Sequence, residues 1–116
     1  MKKILLVDDE ENIRFIYEEE FKEEGYDIIT AANGMDALEL FSRDKPDLVI
    51  LDIQMPGLNG IEVLRRMKTM DPSVPVILSS AFPEFKQDLG AWASEEYVVK
   101  SSDISQLKEA VRRHIR

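Results

Sequence analysis

Short runs of uninterrupted apolar residues alternate along the chain with longer stretches whose apolar positions recur every three or four residues. Ile4-Leu5-Leu6-Val7 is the first such run, and a run apolar at every position predicts a strand covered on both faces. Residues 10–24 follow with Ile13, Ile16, Tyr17 and Phe21 at helical spacing and acids on the opposite face; Gly25 stops that helix. Tyr26 to Thr30 predicts a second strand, and Asn33-Gly34 opens a helix that carries Ala37, Leu38 and Phe41 and ends at Pro46. Leu48-Val49-Ile50-Leu51, the most apolar run, is the predicted central strand. Beyond the turn Met55-Pro56-Gly57, a helix carries Ile61, Leu64 and Met67 as far as Asp71-Pro72. Pro75-Val76-Ile77-Leu78 is the predicted fourth strand, and Phe85, Leu89 and Trp92 mark a short fourth helix. Tyr97-Val98-Val99 is a brief fifth strand. A last helix follows Asp103 with Ile104, Leu107 and Val111, and Gln106 stands three residues past Asp103 as in a capping box.

Strictly alternating strands and helices imply right-handed crossovers and a parallel sheet with helices on both faces. No long linker, repeat or low-complexity tract interrupts the pattern, so residues 1–116 are expected to form a single α/β domain. In such sheets ligands bind beyond the carboxyl ends of the strands. Those ends carry Asp8-Asp9 after the first run, Asp52 after the third, Ser79-Ser80 after the fourth and Lys100 after the fifth.

Composition narrows the classes. The net charge is −8, which weighs against nucleic acid as a partner, because that binding needs Lys and Arg to neutralise phosphates. No apolar run approaches the ~18 residues of a membrane span, and no signal-peptide core is present, so a cytoplasmic address is expected. The absence of cysteine excludes disulfides and thiolate metal sites. Residues 1–24 hold nine carboxylates against four basic residues, whereas the last nine residues hold Lys108, Arg112, Arg113 and Arg116. Glu18-Glu19-Glu20 and Glu23-Glu24 read most simply as a solvated helix face.

Individually the strand-end residues have ordinary explanations. Asp8 or Asp9 could cap the first helix, Ser80 could sit in a turn and Lys100 could be a surface lysine. Asp52 is harder to dismiss, since an acid after four aliphatic residues is desolvated. Jointly, three carboxylates in one pocket repel, and repulsion raises at least one pKa unless a cation sits among them. Mg²⁺ suits that setting, because it takes carboxylates, keeps several waters and engages phosphate oxygens; Mn²⁺ is an alternative ion. Lys100 adds a second positive charge and Ser80 a donor for a phosphoryl group.

Val7-Asp8-Asp9, the segment Asp52-Ile53-Gln54-Met55-Pro56-Gly57 through Gly60, Ser80-Ala81 and Tyr97-Val98-Val99-Lys100 together resemble the receiver domain of two-component response regulators. The likeness covers essentially the whole chain, and its type is the single-domain one of chemotaxis regulators and sporulation phosphorelay carriers. It implies a flavodoxin-like fold, a doubly wound five-stranded parallel sheet of order 2-1-3-4-5 with five helices. It implies that Asp52 accepts a phosphoryl group from a phosphohistidine on a sensor histidine kinase or a histidine phosphotransfer protein. Asp9 would ligate Mg²⁺ directly and Asp8 largely through water, with Asp52 and the carbonyl of Gln54 completing the protein ligands. Lys100 would pair with a phosphoryl oxygen, and Ser80 with Tyr97 would form a switch. That switch would remodel the face made by the fourth helix, fifth strand and fifth helix to control a downstream partner, or the phosphoryl group would be passed on. Gln54 and Phe82 would flank the site and tune hydrolysis, a bulky Phe82 shielding the phosphoryl group from water. Mg²⁺-dependent self-phosphorylation and autodephosphorylation would accompany this, without a conventional enzyme activity.

Two features depart from the family pattern. Ser101 follows Lys100 where proline is usual, so a trans bond is expected, because a cis non-proline bond costs about 2.5–4 kcal/mol. The stretch from Ser80 to Lys100 is also slightly short, so the fourth helix is expected to be short or irregular. Other readings are a docking-only receiver, which usually lacks the acids or the lysine, and an aspartyl-phosphate phosphatase, which needs a second Asp where Gln54 stands. A nucleotide-binding domain finds neither a P-loop nor a dinucleotide motif after any strand. His114, the one histidine, lies far along the chain at an expected helix end near a favourable dipole, so a phosphohistidine donor must be another protein.

Overall fold

The apolar runs become β1 (Lys3–Val7), β2 (Asp27–Ala31), β3 (Leu48–Asp52), β4 (Val76–Ser80) and β5 (Glu96–Val99). In the computed structural model, which describes residues 1–81 and 94–115, they form one parallel sheet in the order β2-β1-β3-β4-β5. The amphipathic stretches become α1 (Glu11–Glu23), α2 (Gly34–Asp44), α3 (Gly60–Met70) and α4 (Ser105–His114). The helix expected around Phe85, Leu89 and Trp92, and Phe82 before it, lie outside the described residues.

Side chains alternate across a strand, and the core divides accordingly. Leu5, Val7, Val49, Leu51, Val76 and Leu78 face α2 and α3, where Ala37, Phe41, Val63, Leu64 and Met67 close over them. Ile4, Leu6, Leu48, Ile50, Ile77 and Val98 face α1 and α4, meeting Tyr17, Phe21, Leu107, Ala110 and Val111. Every residue of β3 is buried, as a central strand requires. Ile16, expected on the inner face of α1, is instead exposed, and Tyr17 and Phe21 are the residues of that helix in the core.

Local chemistry explains most element ends. Gly25, at φ +96°, closes α1 with a Schellman motif: its N–H reaches the Lys22 carbonyl, and the Tyr26 N–H reaches the Phe21 carbonyl. The rings of Tyr26 and Phe21 pack 6.3 Å apart as the apolar contact of that motif. Tyr26 is thereby committed to the helix end, which is why β2 begins at Asp27 rather than at Tyr26. Asn33 and Asn59 cap α2 and α3, each side chain accepting an N–H three residues on. The capping box expected at Asp103 is replaced by a shorter turn, in which Asp103 accepts from the Ser105 N–H.

The acidic start and basic end of the chain meet, because α1 and α4 share one face of the sheet. Lys108 pairs with Glu20 at 2.6 Å and Arg112 with Glu24 at 2.5 Å, so part of the expected solvated face is an interhelical charge seam. Such exposed pairs each contribute less than about 1 kcal/mol, so they set the helix register more than the stability. His114 is not a bare helix-end residue either: its Nε2 lies 2.9 Å from Glu96 Oε1, beside Arg113 on the same carboxylate.

Candidate functional site

Asp8, Asp52, Ser79 and Lys100 come from four neighbouring strands onto the α1/α4 side of the sheet rim. β1 and β3 are in register through Val7 and Leu51, which sets Asp8 beside Asp52. Asp52 is in turn the register partner of Ser79 on β4. Asp52, Ser79 and Ser80 are the last residues of their strands rather than loop residues after them, as the ladder continues through polar side chains. Pro75, expected to start β4, has no N–H to give, and only its carbonyl joins the sheet by accepting from Val49.

The turn after β1 is held on three sides. The Asp8 N–H donates to the Ala31 carbonyl, Asp8 Oδ1 accepts from the Glu10 N–H at 2.9 Å, and Arg14 Nη1 donates to the Asp8 carbonyl at 2.7 Å. Carboxylate oxygens of Asp8, Asp9 and Asp52 all lie within 4.8 Å of one another, with Asp8 and Asp52 buried. Lys100 Nζ reaches Asp8 Oδ2 at 2.6 Å and Asp52 Oδ2 at 3.5 Å.

This crowding shows in the acidities. The Asp52 carboxyl is pushed up to about 6, first by burial and then by Asp8 and Asp9, with Lys100 opposing. Desolvation, more than the repulsion expected from sequence, is therefore the main cause. Burial pulls the Lys100 ammonium down, but its hydrogen bond to Asp8 and the charges of Asp52 and Asp8 outweigh that and hold it above the ordinary lysine range. Three clustered oxygen donors, one of them strained toward protonation, are a hard-donor set that fits a divalent cation such as Mg²⁺.

Gly60 fixes the far side of the site. A Cβ there would run into the Asp52 carbonyl and Ile53 Cα, and the Gly60 N–H donates to the Ile53 carbonyl at 2.8 Å. Only glycine lets α3 start this close to the end of β3. Gln54 is exposed two residues beyond Asp52, at the edge of a groove that also includes Ile53, Met55, Asn59 and Ile61. Ser80 is fully buried, and by strand alternation it faces the α2/α3 side with Leu78 and with Tyr97, which packs against that cluster. The Lys100 N–H donates to the Ser80 carbonyl at 2.6 Å, extending the β4–β5 ladder one residue past β5. No described peptide bond is cis, so the Lys100–Ser101 bond is trans as expected.

Sequence reasoning places Ser79 at the rim without a role of its own and gives Tyr17 only a core position. Tyr17 reads as an ordinary core aromatic, yet its phenol is raised by burial and comes near enough to Lys100, Asp8, Ser79 and Asp52 to feel each of them. Ser79 was overshadowed by Ser80; its signal is a hydroxyl in a strand whose other inner residues are aliphatic.

A model of the response regulator receiver domain matches residues 4–112. The chain belongs to the response regulator receiver family. Sporulation initiation phosphotransferase F of Bacillus subtilis is 40% identical over 119 residues, covering 98% of this chain and 94% of its own. The response regulator TrrA of Thermotoga maritima, solved with Mg²⁺ and a beryllium fluoride, superposes with a TM-score of 0.97 at 48% identity, covering 99% of this chain and 100% of its own. TrrA in its complex with the histidine kinase ThkA gives 0.94 at 46% identity, with 100% of both chains covered. This receiver is thus a two-component signalling protein of flavodoxin-like fold, a regulator by family rather than a conventional enzyme. No helix among its described residues is long and apolar enough to cross a membrane.

Proposed function

We propose that residues 1–116 act as one phosphoacceptor domain, in which Asp52 takes a phosphoryl group from a phosphohistidine on a histidine kinase or histidine phosphotransfer protein. The observation that carries this reading is the buried Asp52 carboxylate flanked by Asp8, Asp9 and the Lys100 ammonium at the end of the central strand. An Asp52 oxygen attacks phosphorus, the O–P bond forms as the N–P bond breaks, and the electron pair stays on the departing imidazole nitrogen. A carboxylate raised toward 6 is more basic than an ordinary aspartate yet still mostly ionised at neutral pH, which suits a nucleophile.

Asp8, Asp9, Asp52 and the Gln54 carbonyl would hold Mg²⁺, or Mn²⁺ in its place. When bound there, the ion supplies positive charge to the phosphoryl oxygens. Lys100 releases Asp8 in part to pair with the phosphoryl group, and Ser80 and Tyr97 relay its presence to β5 and α4. Phe82 shields the phosphoryl group from water; an unchanged dephosphorylation rate in Phe82→Glu would overturn that role. Slow self-phosphorylation from small donors and slow autodephosphorylation belong to the same site. The setting is cytoplasmic, with neither nucleic acid nor membrane as a direct partner.

Acetyl phosphate and Mg²⁺ followed by intact mass measurement test the proposal. One phosphoryl adduct on the wild type and none on Asp52→Asn are expected. No adduct on the wild type, or an undiminished one on Asp52→Asn, would overturn it, the former favouring a docking-only receiver.

A further inference from the structure

Lys100 follows the edge strand β5 but makes its shorter ion pair with Asp8, just past the end of β1, with β3 and β4 between them. Neighbouring strands lie ~4.8 Å apart, so the lysine side chain must run across the rim of the sheet rather than out from it. Val98 is the register partner of Ser79, and Lys100 lies two residues on along the same face, so a side chain running from Lys100 toward Asp8 passes the end of β4 on the Ser79 face. Ser79 is 3% exposed, and its Oγ has no partner in hydrogen-bond geometry. The group facing it is the hydroxyl of Tyr17, 4% exposed, which interacts with Ser79 and Lys100 without completing a hydrogen bond in distance and angle. A branched aliphatic residue, the type found at the other inner position of β4, would stand in the lysine's way. A buried hydroxyl left unsatisfied is costly and calls for a reason beyond packing.

Building on the phosphoacceptor reading, we propose that Tyr17 and Ser79 form a polar floor beneath Lys100, and that Tyr17 is a positioning residue for phosphoryl transfer acting through that lysine. An ammonium has three N–H groups and no acceptor. Asp8 takes one in the geometry described, and a phosphoryl group on Asp52 draws the head away from Asp8. The two hydroxyls offer acceptors along that path, so the head turns toward the phosphoryl group without losing its lateral hold. Glu10 and Arg14 engage Asp8 through its Oδ1 and its carbonyl rather than through the Oδ2 that Lys100 holds, and the charge of Glu10 adds to the pull of the acids on the ammonium.

The test uses the full chain, acetyl phosphate as donor and saturating Mg²⁺. Tyr17→Phe keeps the ring and is expected to slow Asp52 phosphorylation about threefold to tenfold, with Mg²⁺ affinity unchanged within about twofold. Ser79→Ala should act in the same direction, and the double variant no more strongly than the larger single one. In a Lys100→Ala background, Tyr17→Phe should have no further effect, whereas a merely structural role would persist there. The NMR resonance of the Lys100 ε-methylene should move in Tyr17→Phe, which decides the matter should Lys100→Ala form no measurable adduct. A rate within about twofold of wild type, an equal loss in both backgrounds, or an unmoved resonance overturns the proposal. Wild-type protein that takes up no phosphoryl group would overturn the phosphoacceptor reading instead.

Discussion

Lys100 Nζ sits 2.6 Å from Asp8 Oδ2 and 3.5 Å from Asp52 Oδ2, so the ammonium is anchored on the acid that is not the proposed acceptor and merely leans on the one that is. Removing one member of a buried ion pair strands the charge of the other. Asp8 keeps the Glu10 N–H, so Lys100→Ala is expected to cost about 2–3 kcal/mol in the presence of a chelator. Mg²⁺ should then return more stability to the variant than to the wild type, because it meets less positive charge in the pocket. Urea denaturation with and without Mg²⁺ reads this directly, and equal recovery in both proteins would contradict it.

Asp52 sets a pH dependence with a definite sign. Its folded pKa of about 6 lies above the ordinary 3.8, so its ionised form opposes folding. That cost is complete above about pH 6 and vanishes as the pH falls toward 4. Asp52→Asn should therefore be more stable than wild type by about 2–3 kcal/mol near neutral pH without divalent ions. The gap should close on acidification. A constant difference from pH 4 to 7 would show that the carboxylate is not under this pressure.

Gly60→Ala should destabilise the fold by about 2–3 kcal/mol, since the new methyl meets backbone rather than a flexible side chain. Relief requires the end of β3 to move, so Asp52 phosphorylation should slow as well. A variant with wild-type stability and wild-type phosphorylation would mean that the β3–α3 contact is looser than described.

Glu95 closes the opposite end of the sheet. Its carboxylate accepts from the Val76 N–H and from Lys68, each at 2.5 Å. Glu95→Ala leaves a buried N–H unpaired, at a cost of about 1–3 kcal/mol. Hydrogen exchange at the Val76 amide should quicken in step; unchanged protection there would rule out this clip.

The runs Ile4–Val7, Leu48–Leu51 and Val76–Leu78 were legible because a strand buried on both faces needs an unbroken apolar stretch, and few other local structures do. The acids were legible for the complementary reason: nothing about helix capping accounts for Asp52 after four aliphatics. Strand ends were less so. Ser79 and Ser80 look like a turn in isolation and are held in the ladder only by neighbours distant in sequence. Tyr17 could not be told from Phe21 by spacing, because what separates them is which end of the sheet each reaches. The pairing of Glu20 and Glu24 with the last helix was likewise invisible until α1 and α4 were known to share a face.

The hydrogen bond from the Lys100 N–H to the Ser80 carbonyl bears on how this chain can change over time. Lys100 and Ser80 are stitched together backbone to backbone, so their spacing does not depend on the length of chain that joins them in sequence. Lengthening or shortening that connection alters closure entropy by only about 0.6 kcal/mol per doubling. Changes of length or sequence in that connection are therefore expected to leave the spacing of Lys100 and Ser80, the proposed phosphoryl-pairing and switch residues, unaltered.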